Sequence, residues 1–452
     1  MPASIPSEYR GRMHQAQREL MQRWYERLEE SARSGNPPAV SLMIAGNCVE
    51  LLEGFGAVPL YPEINALQLA IRHASLAPIL AAEELGYAAD NCAYVKADIG
   101  ALLQGLTPTG TRLPTPALVL CNFVGCNTYV KWFEHCAEFQ GAPLTLLDVP
   151  FLRTDEPRAE DVAYIVRQLQ EIVAQLEAIT GRRFDAERFR EAVRCAARVE
   201  EAWSRIKHLA RRTPSPFDAY FDAITLMGPL YVYRGRPEGV AFFELALEEM
   251  EAKAARGEGL YDQENFRIVI EGPPPYPFFR AFRDMFAAWK AAPVASTYST
   301  VGGLWEFGFR HDPDRPFESL ALHMLAHNVT NRNYLQRYQQ IRRYVEEWDA
   351  DGVVIHFVKS CRLFSAGQGD MRDYFTRQLG IPTLYLESDL EDPRYFSTAQ
   401  IRNRMDAFFE ALEHARATGT HRRGAALVRA NGPAPGDEPA KVAAGPTLRI
   451  LD

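Results

Sequence analysis

None of the seven cysteines (Cys48, Cys92, Cys121, Cys126, Cys136, Cys195 and Cys361) forms a CxxC pair with another. An odd number of widely spaced cysteines argues against a disulfide framework. It also argues against zinc ribbons and ferredoxin-type loops, whose ligands lie within a few residues of one another. The chain has no GxxxxGK[ST] phosphate loop, no GxGxxG after a strand and no GxSxG elbow. Positive charge is scarce as well. Fifty Lys and Arg stand against 58 Asp and Glu, a formal net charge of −8, so no nucleic-acid partner is expected. No apolar run reaches membrane-spanning length, and Met1–Ser34 lacks the apolar stretch of a signal peptide. We expect a cytoplasmic chain with no membrane partner.

Against these absences stands one organising stretch, Ala117–Glu134. An apolar run after Pro116 reads as a buried parallel strand. A short loop with Gly125 and Cys126 follows, and then Tyr129, Trp132, Phe133 and Cys136 recur at helical spacing. Cys126 thus sits where a strand ends and a helix begins, the edge at which open α/β sheets bind ligands. A helix N-terminus also favours the thiolate. The same arrangement recurs at Asp351–Cys361, a strand running into a cysteine, and Cys92 opens another helix. A buried, packed thiol would look the same at any one of these positions.

The chain is too long for one core. Residues 1–36 read as a helical N-terminal arm, with Leu20, Trp24 and Leu28 at helical spacing. Strand–helix alternation over 37–155 gives a first α/β domain, and 156–262 a helical region broken at Gly181 and Thr213–Pro216. Alternation resumes over 263–417, a second α/β domain. Residues 418–452, rich in Ala, Gly, Pro and Arg, read as a flexible tail. The fold class expected is α/β, with two doubly wound, mainly parallel-sheet domains, the helical arm and the helical middle region.

His135, His323, His327 and His356 raise the question of a metal site. His323 and His327 share a face if their segment is helical, but the Glu of HExxH is missing. Hydrogen-bonded histidines are the simpler account. Cys92, Cys126 and Cys361 remain, all at strand or loop ends. Three thiolates can hold a [4Fe–4S] cluster and leave one iron without a protein cysteine.

Several ordered segments carry a resemblance. They are Val58–Gln68, Cys92–Gly100, Gly125–Glu134, Val301–Leu304, Gly308–Pro313, Lys359–Gln368 and Asp392–Ser397. Together they resemble the 2-hydroxyacyl-CoA dehydratase/benzoyl-CoA reductase family, and within it the larger, B-type cluster-bearing subunits of ATP-dependent benzoyl-CoA reductases. The likeness spans residues 10 to 415. It implies that Cys92, Cys126 and Cys361 ligate one [4Fe–4S] cluster, while Cys121, Cys136 and Cys195 match no ligand and Cys48 lines the cleft at best. It implies an active-site subunit that works beside a homologous second cluster-bearing subunit, fed by an ATP-hydrolysing iron–sulfur activator with ferredoxin upstream. ATP is then used by that activator and not bound by this chain. The reaction implied is reduction of the ring of benzoyl-CoA, or a close analogue, to a cyclohexadiene thioester, in anaerobic aromatic degradation. The alternatives are a 2-hydroxyacyl-CoA dehydratase subunit using the open iron as a Lewis acid, and a non-catalytic electron-storage or scaffold subunit. Neighbours of the ligands become candidates: Lys131 and Glu63 for catalysis, Asn127, Ser365 and Gln368 for substrate or cluster surroundings. Lys131 has Glu134 as an alternative ion-pair partner, and Glu63 can serve simply as a helix N-terminal carboxylate.

Overall fold

The structure is a computed structural model, which describes residues 11–110, 112–152, 157–300, 309–326, 331 and 333–431. It contains two four-stranded sheets, all parallel. The first is built from β1 (Ala39–Leu42), β2 (Val58–Leu60), β3 (Leu118–Phe123) and β4 (Leu144–Asp148), in the order β2-β1-β3-β4. The second is built from β5 (Phe266–Glu271), β6 (Ala291–Ser296), β7 (Gly352–Val358) and β8 (Thr383–Ser388), in the order β6-β5-β7-β8. The α/β expectation holds.

The apolar runs are what make these strands central. Val40 pairs with both Pro59 and Leu118, and Val353 with both Val269 and Thr383. Each sheet carries its internal proline on an edge strand, Pro59 in β2 and Pro293 in β6. A proline has no N–H to give a ladder, so an edge tolerates it. The β5–β6 register slips beside Pro293, between Ile268 and Val269.

Helices cover both sheets. Two long ones, Ala159–Thr180 and Ala186–Leu209, break at Gly181, and Asp185 caps the second by accepting from the Glu187 and Arg188 amides. The N-terminal arm is the helix Arg12–Ser34, which buries Met13, Leu20, Trp24 and Leu28. Its Trp24 Nε1 donates to the Pro59 carbonyl at 2.8 Å, fixing the arm to the edge of the first sheet. Buried apolar side chains form one cluster running from the first sheet through Phe221–Tyr233 to the second. A smaller cluster under Trp132, Phe133 and Cys136 covers the other face of the first sheet.

Some elements differ from the sequence reading. The helix expected to run through Leu85 is two, Pro62–Ile71 and Leu76–Glu84, because the turn passes through His73 at positive φ. Helices Pro316–Leu325 and Tyr334–Glu347 fill the stretch between β6 and β7; Asn333 and Gln336 form a capping box at the start of the second. Within the expected tail, Gly424–Asn431 is helical, with Leu427 and Val428 buried. The segment Val301–Gly308 and His327 lie outside the described residues.

Candidate active site

In both sheets the first strand in sequence has its successor on one side and the third strand on the other. The crevice at the strands' C-terminal ends, where the direction of winding reverses, is the place such sheets bind ligands. A cavity of about 680 Å³ lies there. Its walls are residues that follow strand ends: Ile44 after β1, Glu63 after β2, Cys126 after β3, Tyr276 after β5, Tyr298 after β6, and Cys361 and Phe364 after β7. Met21 and Tyr25 of the N-terminal arm and Met227 and Tyr231 of the middle helices close the remaining side.

Cys92, Cys126 and Cys361 all line this cavity. Each occupies the residue before a helix: Ala93–Gln104, Asn127–Gln140 and Arg362–Ser365 respectively. All three are free thiols. Burial pushes each thiol up, Cys361 to about 12, and a thiolate at Cys361 or Cys126 would push Cys92 up further, which marks them as electrostatic neighbours. Amide groups at the three helix starts act in the opposite direction. Three buried thiols collected around one space are costly to ionise without a cation between them.

The other four cysteines sit elsewhere. Cys121 and Cys136 belong to the small cluster on the first sheet, Cys136 Sγ lying 3.5 Å from Asp98 Oδ2. Cys195 packs in the main core. Cys48, expected to line the cleft, does not. It is fully buried against Asn122 and Glu50, because its loop turns inward at Gly46. Gly46 has φ +60°, and a Cβ there would meet Val124 Cγ2 at 2.9 Å.

Glu63 faces the cavity from the first turn of Pro62–Ile71 and is 4% exposed. Its carboxylate accepts from the Ile44 amide at 2.5 Å and from the Tyr129 hydroxyl. Burial raises it to about 7, against the pull of those two donors and with a further push from Asp98. Asp98, held by Trp132 Nε1 at 2.9 Å, is itself raised to about 7 by burial. A carboxyl that titrates near neutrality beside a cavity is suited to holding and releasing a proton.

The remaining expected site residues are not on the cavity wall. Lys131 is exposed and ion-paired to Glu134 at 2.7 Å. Helical periodicity is the reason, since Trp132 and Phe133 take the inward face and leave 131 and 134 outside. Asn127 is exposed at the same helix start. Ser365 donates its hydroxyl to the Val358 carbonyl and so closes its own loop. Gln368 is fully buried, with neither amide atom partnered among the described residues. His356 is a neutral internal strut between the Pro273 carbonyl and Ser388 Oγ, lowered to about 4 by burial.

The sequence reading missed the tyrosines. Tyr129 comes three residues after Cys126 and Tyr94 two after Cys92, so both lie within the first helical turn. Tyr276 Oη and Tyr298 Oη are 2.8 Å apart, and the Tyr94 and Tyr276 rings stack at 6.1 Å. Read as core aromatics, they showed no polar signature; proximity to a cysteine was the available cue.

Comparison with known proteins follows this geometry. The family model described as 2-hydroxyglutaryl-CoA dehydratase, D-component, matches residues 46–412. The B-type benzoyl-CoA reductase subunit of Thauera aromatica is 36% identical over 409 residues, 88% of this chain and 94% of that protein. The (R)-2-hydroxyisocaproyl-CoA dehydratase alpha subunit of Clostridioides difficile is 29% identical over 397 residues, 87% of this chain and 95% of that protein. The (R)-phenyllactyl-CoA dehydratase alpha subunit of Clostridium sporogenes is 27% identical over 366 residues, 80% and 87% of the two chains. The matched span covers both sheets and all three cavity cysteines, and the chain belongs to the 2-hydroxyglutaryl-CoA dehydratase D-component family.

Proposed function

We propose that this chain is the active-site iron–sulfur subunit of an ATP-dependent benzoyl-CoA reductase, acting on benzoyl-CoA or a close analogue. The observation that carries the reading is the meeting of Cys92, Cys126 and Cys361 on one aromatic-walled cavity, in a chain 36% identical to a B-type benzoyl-CoA reductase subunit. Three free thiols, each at a helix start and each made less acidic by burial, fit a cationic cluster that would take them as thiolates. When bound, a [4Fe–4S] cluster supplies single electrons and one iron without a protein cysteine.

The chain's own residues supply the rest. Tyr94, Tyr276 and Phe364 offer flat apolar faces to a planar ring. The apolar lining keeps water from the reacting centre and so limits competing proton reduction. Glu63 holds a proton on its carboxyl below about pH 7 and releases it toward the cavity, with Tyr129 Oη as its hydrogen-bonded neighbour. Tyrosine hydroxyls, rather than Asn127, Ser365 or Gln368, are the side-chain donors within reach of a thioester carbonyl. A homologous second subunit, an ATP-hydrolysing activator and a ferredoxin donor complete the reading.

A second reading is supported by the name of the family model and by the dehydratase relatives: a 2-hydroxyacyl-CoA dehydratase subunit, with no net redox change. One experiment separates the two. The chain is purified anaerobically with its co-expressed partner subunit, iron and sulfide are counted, and products are analysed after ATP, activator and benzoyl-CoA are supplied. The expected product is a cyclohexadiene thioester. Failure to reduce benzoyl-CoA, with water loss from a 2-hydroxyacyl-CoA instead, would select the dehydratase.

A further inference from the structure

A second cluster of metal-binding side chains lies away from the cavity. Glu200, from the helix Ala186–Leu209, meets His311 and His323, and all three side chains are buried. His323 Nε2 is 2.8 Å from Glu200 Oε1 and His311 Nε2 is 3.3 Å from the same oxygen. The three donor atoms lie within 4.8 Å of one another. None of these residues lines the cavity, and the reaction proposed above does not use them.

We propose that Glu200, His311 and His323 form a structural site for a divalent first-row metal ion, zinc above all. The donor set is the His₂Glu set that binds zinc in proteins. Zinc bonds of about 2.0–2.1 Å in a tetrahedron put neighbouring donors roughly 3.3 Å apart, which matches the His311–Glu200 separation.

Three further observations point to a missing cation. Glu200 Oε2 and His311 Nε2 are buried with no hydrogen-bond partner among the described residues. Such groups are rare in native interiors and call for a ligand. The hydroxyl of Ser319, 3.1 Å from His311 Nδ1, can accept that nitrogen's proton. This leaves the Nε2 lone pair facing the carboxylate, the arrangement in which a metal ligand's other nitrogen is held by an outer partner. Finally, the neighbouring cation is already neutralised. Arg234 gives Glu50 two hydrogen bonds, at 2.5 and 3.1 Å, whereas its closest atom stands 3.7 Å from Glu200. Glu200 is therefore a buried carboxylate with two neutral imidazoles and no full counter-charge of its own. A metal here would tie a middle helix to the segment 309–325, across which the second sheet begins its return toward the cavity.

The test is metal analysis of the full-length chain purified anaerobically without chelator. About one zinc per chain is expected beside the iron. Zinc K-edge X-ray absorption should show nitrogen and oxygen neighbours at about 2.0–2.1 Å and no sulfur. Glu200→Gln and His311→Gln should each bring zinc to background with iron unchanged. The wild-type spectrum decides the question even if those variants fold poorly. Zinc with sulfur neighbours near 2.3 Å would assign it to cysteines and overturn the site. So would zinc retained at full stoichiometry in both variants, or wild-type protein that carries no second metal and takes up none on incubation with zinc chloride.

Discussion

The two sheets are built to the same plan and used differently. In each, the third strand in sequence runs into a cysteine that opens the next helix: Cys126 after β3 and Cys361 after β7. In each, a glycine at positive φ stands just past the first strand, Gly46 and Gly272. A Cβ on Gly272 would lie 2.6 Å from the His356 carbonyl, so this turn tolerates no side chain. In each, a buried glutamate near that turn pairs with a buried arginine, Glu50 with Arg234 and Glu271 with Arg337. The difference lies in the crossover between second and third strands. In the first sheet it holds three helices and delivers Glu63 and Cys92 to the cavity. In the second it delivers the buried centre of His311 and His323. A shared frame thus sets where thiols can meet, while an unshared crossover decides which side carries the acid.

The comparison breaks most plainly at the cysteines. If the two strand-end positions are equivalent, Cys126→Ala and Cys361→Ala should lose cluster iron and ring reduction alike, and Cys121→Ala should keep both. Iron and sulfide counting on each variant checks this; full iron in Cys361→Ala would end the equivalence.

The asymmetry of acid supply predicts the next largest effect. Glu63→Gln should fold normally and lose about 10²–10⁴ in turnover, the usual worth of a positioned proton donor. Because burial raises this carboxyl to about 7, the wild type should lose turnover as pH rises through 7. The variant should lack that limb, which a pH–rate profile reads. The same shift has a sign in stability. Below the unfolded value of about 4.3 both states are protonated. Between there and about 7 the unfolded chain gives up the proton first, so stability falls as pH rises. Glu63→Gln should flatten the melting temperature over that interval.

The paired glutamates test the frame itself. Arg234→Met leaves Glu50 buried and uncompensated and should cost about 3–5 kcal/mol, measured by denaturant unfolding. Arg337→Met should do the same to Glu271 in the second sheet. Unequal losses would show that the two turns are not energetically alike. The smallest effect is expected at Lys131, whose exposed pair with Glu134 is of a kind that adds little. Lys131→Ala should leave melting temperature and cluster content unchanged.

Much of this was legible in the chain itself. Parallel strands read as apolar runs because both their faces are covered, and the helices between them read from their 3.6-residue period. Cys92, Cys126 and Cys361 were identifiable because strand-to-helix junctions are local features, and so was Glu63, which follows Pro62 at a strand end. What the sequence could not decide was facing. Lys131 and Tyr129 lie two residues apart on one helix, yet one meets solvent and the other the cavity, and only the packing of Trp132 and Phe133 on the first sheet settles which. Ser365 and Gln368 stand beside a cavity cysteine in sequence, but a bond to the Val358 carbonyl and complete burial take them off its wall. The proximity of Glu200 to His311 and His323 joins positions more than 100 residues apart, and no local period encodes such a meeting. Local order follows from side-chain pattern, whereas which polar groups share a space depends on how the two sheets and the helices between them close on one another.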